Sequence, residues 1–262
     1  MSASLPATEA IALERRGAVL TVTLNRPEAR NAMNSQMVRE LNLVFDAIRD
    51  DRAIRVVILR GSGGIFCAGG DIKDMARAGE APPGEDAMRA RNRSFGALCR
   101  KVDAAPQAVV AVVEGAAMGG GFGLVCVSDI AIAYENARFA MPEVTLGVVP
   151  AQIAPFVVAR IGMTEARRHA LTGERIDGPR AKELGLVHYL ARGQEDAEAI
   201  LRKVLGQLMN AAPGSIAATK SLLSAIAETP AEMLLDRAAD LFISAVRGPE
   251  GREGTRAFVE KR

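Results

Sequence analysis

The sequence has no tryptophan, only two histidines and only three cysteines in 262 residues, and each shortage removes a class of chemistry. Cys67, Cys99 and Cys126 form an odd set without CxxC spacing, which argues against both a disulfide framework and a cysteine zinc site. In their apolar surroundings they read as reduced and structural. His169 lies beside Arg167 and Arg168 in a helical stretch and His188 in a strand-like one, and nothing in the chain pairs either with a nucleophile. Serine or cysteine hydrolase chemistry therefore has no footing, and no metal-ligand constellation appears. Long hydrophobic runs are also missing: no window approaches the roughly 18 apolar residues of a membrane span. The opening MSASLPATEA has neither a basic-then-apolar leader pattern nor a transit-peptide arginine. The expectation is a soluble, cytoplasmic protein with no membrane partner.

Excess charge of one sign is absent as well. Thirty-three basic residues against 31 acidic give a formal charge of +2, too even for a surface built to neutralise nucleic-acid phosphates. In the tail, Arg247, Arg252, Arg256, Lys261 and Arg262 alternate with Glu250, Glu253 and Glu260, the pattern of a solvated helix and not of a phosphate track. No nucleic-acid partner is expected. What the chain does have is apolar content, 49% of residues, enough to bury a sizeable core.

Leu20, Val22 and Leu24 alternate with Thr21 and Thr23, the period of a half-buried strand, and Arg16-Gly17 supplies a hairpin turn. Asn34 or Ser35 caps a helix whose Met37, Leu41, Phe45 and Ile48 share one face. The uninterrupted runs IRVVILRG (54–61) and PQAVVAVVEG (106–115) suit strands covered on both faces. Two short strands are expected around Glu135-Asn136 and one at LVHYL (186–190). From Gln194 onward only helices follow, broken at APGS, ETP and RGPEG. The division is an α/β core over 1–193 and a helical region over 194–262. In the last long helix an apolar stripe, Met233, Leu234, Leu241, Phe242 and Val246, fits either the chain's own core or a neighbouring subunit, and taken alone it favours the core.

Two glycine-rich loops, GSGGIFCAGGDIKDM (61–75) and AAMGGGFG (116–123), each follow a buried strand and precede a helix. Such junctions can aim main-chain N–H groups at one centre, an anion hole. Neither loop matches GxxxxGK[ST] or GxGxxG.

LNRPEARNAMN (24–34), GGIFCAGGDIKDM (63–75), GAAMGGGFGLVCVSDIAIA (115–133), RFAMPEVTLGVVP (138–150) and EGTRAFVEKR (253–262) resemble, in order and spacing, the enoyl-CoA hydratase/isomerase or crotonase superfamily. The resemblance implies an α/β fold, a spiral of strand-strand-helix turns, with a helical C-terminal trimerisation region that builds trimers or paired trimers. It implies that the N–H groups of Gly70 and Gly120 bind the thioester oxygen of an acyl-CoA, where charge develops during proton loss or nucleophile addition. By position, Glu28, Ala29 and Arg30 touch pantetheine and nucleotide, Ala68, Asp71 and Ile72 the adenine side, and Lys73 a phosphate. Phe258 and Lys261 match tail residues that reach the CoA of a neighbouring subunit. CoA is part of the substrate, and no further cofactor is implied.

Hydratases of this family use two glutamates. Glu143, in a loop with Met141, Val144 and Leu146 around it, matches one, and its apolar setting suits a carboxyl with a raised pKa. The position of the other is Gly123, and Phe122, Leu124 and Val125 supply no acid, while Asp129 lies more than a helical turn away. A single glutamate is the pattern of enoyl-CoA isomerases. LGVVPAQIAPFVVARIG (146–162), however, is similar to the branch that hydrates glutaconyl-type CoA esters such as isohexenylglutaconyl-CoA from acyclic-terpene breakdown. On this reading the space at Gly123 accommodates substrate bulk, and the substrate acid or a polar group such as Gln152 orients water. A glutamine satisfied by backbone is the plainer reading of Gln152. A catalytically silent or RNA-binding scaffold on the same fold is the alternative of another class.

Overall fold

A computed structural model describes residues 4–79, 87–226 and 229–261. Glu228, in the break between two tail helices, and Arg262 lie outside the described residues. The hairpin forms as the alternation predicts: β1 (Ile11–Arg16) and β2 (Val19–Leu24) pair antiparallel around Gly17, whose φ of 61° favours glycine. A 3-10 turn (Pro27–Ala29) leads into α1 (Ser35–Ile48), where the Asn34 side chain accepts the Met37 N–H at 2.9 Å. Met37, Leu41, Phe45 and Ile48 are all buried.

Then come β3 (Val56–Gly61), α2 (Ile72–Gly79), α3 (Ala87–Asp103), β4 (Ala108–Val113), β5 (Ala116–Met118), α4 (Gly120–Cys126), β6 (Ile130–Tyr134) and β7 (Arg138–Ala140). A second 3-10 turn (Glu143–Leu146) precedes α5 (Ala154–Thr172), β8 (Ile176–Asp177), α6 (Gly178–Glu183) and β9 (Tyr189–Ala191). The six-stranded sheet runs β1-β2-β3-β4-β6-β9 and is parallel from β2 onward. All six residues of β4 are buried, as expected for a central strand covered on both faces. The last strand of the sheet begins later than LVHYL suggests, because the N–H groups of Leu186 and Val187 both turn back to the Ala181 carbonyl, at 2.9 and 3.3 Å.

A second, smaller layer contains β5-β7-β8. The single pairing Cys67↔Ala117 extends it to the loop after β3, and Met33↔Gly70 extends it again to the segment before α1. The chain thus repeats one unit: β3, a bridge at Cys67, then helix; β4, β5, then α4; β6, β7, then α5. This is the strand-strand-helix spiral. The two short strands around Glu135-Asn136 belong to different layers and do not form a hairpin.

The helical region comprises α7 (Gln194–Asn210), α8 (Pro213–Ala225), α9 (Ala231–Arg247) and α10 (Pro249–Val259). The change at 194 is one of secondary structure and not of packing, for α7 buries Ala197, Leu201 and Val204 and its Glu198 pairs with Arg60 of β3 at 2.8 Å. Burial stops after α7: α8, α9 and α10 have no buried residue. The core expectation for the α9 stripe is therefore corrected. Met233 and Phe242 are 63% and 70% exposed and Leu234 and Leu241 half-buried, because α9 packs along α8 and α10 and not on the core. Among the described residues no helix is long and apolar enough to cross a membrane.

A second ion pair ties α8 to the core. Lys220 of α8, nearly buried, donates to Asp129 at 2.6 Å and to the Gln107 carbonyl at 2.9 Å. Asp103 lies in the same cluster; burial pushes its carboxyl up, Lys220 opposes that, and Asp129 adds to it. Removing the cation leaves two carboxylates facing each other. Lys220→Met is expected to destabilise the protein by roughly 3 kcal/mol, the scale for breaking a mostly buried pair. Denaturant titration checks this, and a change below about 0.5 kcal/mol would show that α8 is held by apolar contacts alone.

Candidate active site

Hydrogen bonds of the second layer shape the loop after β3. Cys67 N–H donates to Ala116 and the Met118 N–H to the Cys67 carbonyl, at 2.8 and 2.9 Å. On the other edge, Met33 N–H donates to the Gly69 carbonyl and Asp71 N–H to the Met33 carbonyl, at 2.8 and 3.0 Å. The peptide joining Gly69 and Gly70 is planar and trans, so a carbonyl aimed at Met33 sends the Gly70 N–H the opposite way. That side is where the triple glycine passes: a Cβ on Gly119 would stand 3.8 Å from Gly69 Cα. Gly120 is the first residue of α4, and its N–H is one of the donors that a helix start leaves open. Neither the Gly70 nor the Gly120 N–H meets an acceptor among the described residues.

Each glycine of the triplet has its own neighbour. Gly119 has φ 49°, and a Cβ there would lie 2.9 Å from Glu143 Oε1. One on Gly120 would strike Met33 Cε and come within 3.1 Å of Phe95 Cζ. One on Gly121 would come within 2.7 Å of Cys67 Cβ. Cys67 is fully buried, and burial pushes its thiol up to about 12, which removes it as a nucleophile.

Glu143 reaches this centre because β7 pairs with β5 in register, Ala140 opposite Met118, and the Gly119 N–H donates to the Ala140 carbonyl at 2.9 Å. The glutamate then sits at the start of the 3-10 turn, half-buried, with Oε2 enclosed and without a hydrogen-bond partner among the described residues. Burial pushes its carboxyl above the ordinary range, against a smaller opposing pull from its own backbone N–H.

The position lacking an acid is closed. A Cβ on Gly123 would collide with the Ile153 side chain, whose Cβ lies 3.0 Å away, and both residues are buried. The expectation of spare room there is corrected: Ile153, thirty positions along the chain, already fills it. Gln152 is held by side chains and not by backbone. Its Nε2 donates to Asn92 at 2.7 Å and its Oε1 accepts from Arg93 at 2.9 Å, so both ends are occupied. Asp129 is committed to Val109 N–H and Lys220. Phe95, Met33, Met75 and Ile153 line the glycines and were not singled out from the sequence, since no local pattern separates them from other core residues; Met75 Sδ lies 3.2 Å from a Cβ on Gly70.

Of the residues matched to CoA, the 28–30 segment is the one brought against this loop. Arg30 and Asn31 both adopt positive φ, 50° and 56°. Asn31 holds the bend, accepting from Arg26 N–H and donating to the Ser62 and Ile65 carbonyls. The Arg30 carbonyl takes the Ala68 N–H at 3.0 Å, which sets Glu28, Ala29 and Arg30 beside Ala68. Ile72 and Lys73 are exposed at the start of α2. Asp71 is internally engaged: it pairs with Arg26 at 3.0 Å and accepts from the N–H groups of Lys73 and Asp74. Burial alone would raise its carboxyl, but the Asp74 N–H and Arg26 together hold it below the ordinary range. Phe258 and Lys261 stand at the end of α10, where Phe258 is 85% exposed. The buried His169 and the strand-flanking His188 both have imidazoles pushed down by burial, and among the described residues no group of three or more metal-ligating side chains forms.

The Gly123–Ile153 contact is open to test. Gly123→Ala is expected to cost about 1–3 kcal/mol through overpacking, and Ile153→Ala about 2–4 kcal/mol through the cavity it leaves. In the double variant the new methyl occupies part of that cavity, so its cost should fall below the sum by 0.5 kcal/mol or more, a coupling that residues in contact show. Strict additivity in a denaturation cycle would mean that the two do not touch.

The family model for enoyl-CoA hydratase/isomerase matches residues 14–262. Among solved structures, Pseudomonas aeruginosa AtuE superposes with a TM-score of 0.94 at 55% identity, over 97% of this chain and 98% of that one. An enoyl-CoA hydratase/isomerase from Marinobacter aquaeolei gives 0.93 at 52% identity, over 97% of each. The 2,3-dehydroadipyl-CoA hydratase of Escherichia coli is 30% identical over 251 residues, 95% of each chain. With its spiral of strand-strand-helix units and its two glycine loops in place, the chain belongs to the enoyl-CoA hydratase/isomerase family.

Proposed function

We propose that this enoyl-CoA hydratase-type lyase hydrates a branched, glutaconyl-type CoA ester, isohexenylglutaconyl-CoA being one such substrate, with Glu143 as the acid/base. The observation that carries this reading is the half-buried Glu143 carboxyl lying against Gly119, beside two main-chain N–H groups without internal acceptors. Gly70 and Gly120 hold the thioester oxygen. The Glu143 carboxylate takes a proton from water as its oxygen adds to C3, the resulting enolate is stabilised by the two N–H donors, and Glu143 returns the proton to C2. Preorganised donors of this kind contribute a few kcal/mol each. A carboxyl pushed upward by burial is better matched to proton transfer near neutral pH than an exposed one. No cofactor beyond the CoA of the substrate takes part.

The CoA lies along Glu28, Ala29, Arg30, Ala68, Asp71, Ile72 and Lys73, and Phe258 and Lys261 reach it from a neighbouring subunit of a homotrimer or dimer of trimers. The exposed apolar side chains Met233, Leu235, Phe242, Ile243, Val246 and Phe258 support an assembly through the tail helices. The acyl preference rests on the likeness of 146–162 to the glutaconyl branch. A dicarboxylic acyl group also appears in the name of the Escherichia coli relative. A second reading, migration of the double bond with Glu143 as sole proton shuttle, draws on the apolar contact of Gly123 with Ile153. Incubation with straight, branched and glutaconyl-type enoyl-CoAs followed by mass spectrometry separates them: gain of one water marks hydration, rearrangement without mass change marks isomerisation.

Glu143→Gln is expected to lower kcat by about 10²–10⁴-fold, and full retention of activity would remove Glu143 from the mechanism. The same variant has a signature in stability. The folded protein holds the Glu143 proton to higher pH than the unfolded chain does, so this residue's contribution is complete below the unfolded value and is lost as pH rises through the raised folded value. The stability of Glu143→Gln relative to the parent should therefore increase with pH across that window and then level off, measured as the difference in denaturation midpoint. Phe242→Glu should shift the assembly toward monomer in analytical ultracentrifugation, whereas an unchanged mass would place the subunit contact elsewhere.

A further inference from the structure

We propose that Arg91 is the binding residue for a carboxylate carried on the acyl group, an inference that rests on the glutaconyl-type reading and names the group that would recognise the acid. Arg91 lies near the start of α3, with its side chain 16% exposed. Phe95 is four positions further on, the spacing that puts two side chains on one helix face about one 5.4 Å turn apart. Phe95 Cζ lies 3.1 Å from a Cβ on Gly120 and 4.0 Å from one on Gly123, so this face of α3 closes over the triple glycine.

From the other side, Arg91 Nη2 pairs with Asp74 of α2 at 2.9 Å, and the next residue, Met75, brings its sulfur against Gly70. Arg91 thus bridges the two helices that cover the two proposed thioester donors. On this assignment the guanidinium faces the short acid-bearing arm that branches from the reacting double bond.

The guanidinium has capacity left for an anion. Asp74 Oδ2 is shared among Arg91 Nη2, the Ser35 N–H at 2.8 Å and the Ser35 hydroxyl at 2.9 Å, which spreads its charge over three donors. Arg91 Nη1 is buried and meets no hydrogen-bond partner among the described residues. A buried guanidinium N–H without an acceptor is costly, and a planar fork with one free arm suits a carboxylate oxygen. Arg93, on the same stretch of α3, is instead spent on Gln152.

The test compares two esters in one enzyme: crotonyl-CoA, which is uncharged at the acyl end, and 3-methylglutaconyl-CoA, which carries the acid. Arg91→Met should raise KM for the acid ester at least tenfold more than KM for crotonyl-CoA, and Arg91→Lys, which keeps the charge, should recover part of that difference. Parallel losses on both esters would overturn the assignment and leave Arg91 as a strut between α2 and α3, while the glutaconyl reading stands. If the unmodified enzyme hydrates crotonyl-CoA but not the acid ester, both the reading and the assignment fall. Should the variants fold poorly, calorimetry on the unmodified protein decides with unreactive esters: glutaryl-CoA should bind at least tenfold more tightly than butyryl-CoA, and equal or weaker binding overturns the proposal.

Discussion

The pairing of residues 67–71 on both edges is the constraint on which the site depends. Met33 on one side and β5 on the other take up the hydrogen-bonding groups that point their way. What they leave over is the Gly70 N–H, and its direction follows from peptide planarity without any side chain to aim it. The same small layer then delivers Glu143, through the register of β7 against β5, to within contact of Gly119. The large parallel sheet supplies rigidity, and the smaller layer supplies alignment.

Electrostatics around the proposed centre are sparse by construction. Ile153, Phe95, Met33 and Met75 surround the glycines, so a developing negative charge meets main-chain dipoles in a poorly screening environment. Three aspartates of the surrounding elements are already matched: Asp71 with Arg26, Asp74 with Arg91 and Ser35, Asp129 with Lys220. Glu143 differs from these carboxylates, for it is brought to the glycines with one oxygen enclosed and unpaired among the described residues. Its burial raises the proton affinity that acid-base work requires.

The β1-β2 hairpin, α1 with its Asn34 cap, and the buried strands β3 and β4 are legible in the sequence because their signals are local: alternation, a capping residue, an unbroken apolar run. β5 and β8 span three and two residues, too short for any periodicity, and they exist because neighbours in space offer hydrogen bonds. The glycines and Glu143 stand out through motif order. The contact of Ile153 with Gly123 does not, since it depends on how α5 enters beside α4. The α9 stripe is a third kind of case. Its 3.6-residue pattern correctly announces an apolar face, but periodicity carries no information about which chain covers that face.

The triple glycine is guarded at each of its three positions: by Glu143 at the first, by Phe95 and Met33 at the second, and by Cys67 at the third. These neighbours come from a 3-10 turn, from α3, from the segment before α1 and from the loop after β3. The three contacts differ in kind: at Gly119 and Gly120 a Cβ meets the ends of the flexible Glu143 and Met33 side chains, whereas at Gly121 it meets the Cβ and the main-chain oxygen of Cys67. Gly121 is therefore frozen by geometry apart from chemistry: even a descendant that had abandoned catalysis would be expected to keep it for as long as it kept the fold.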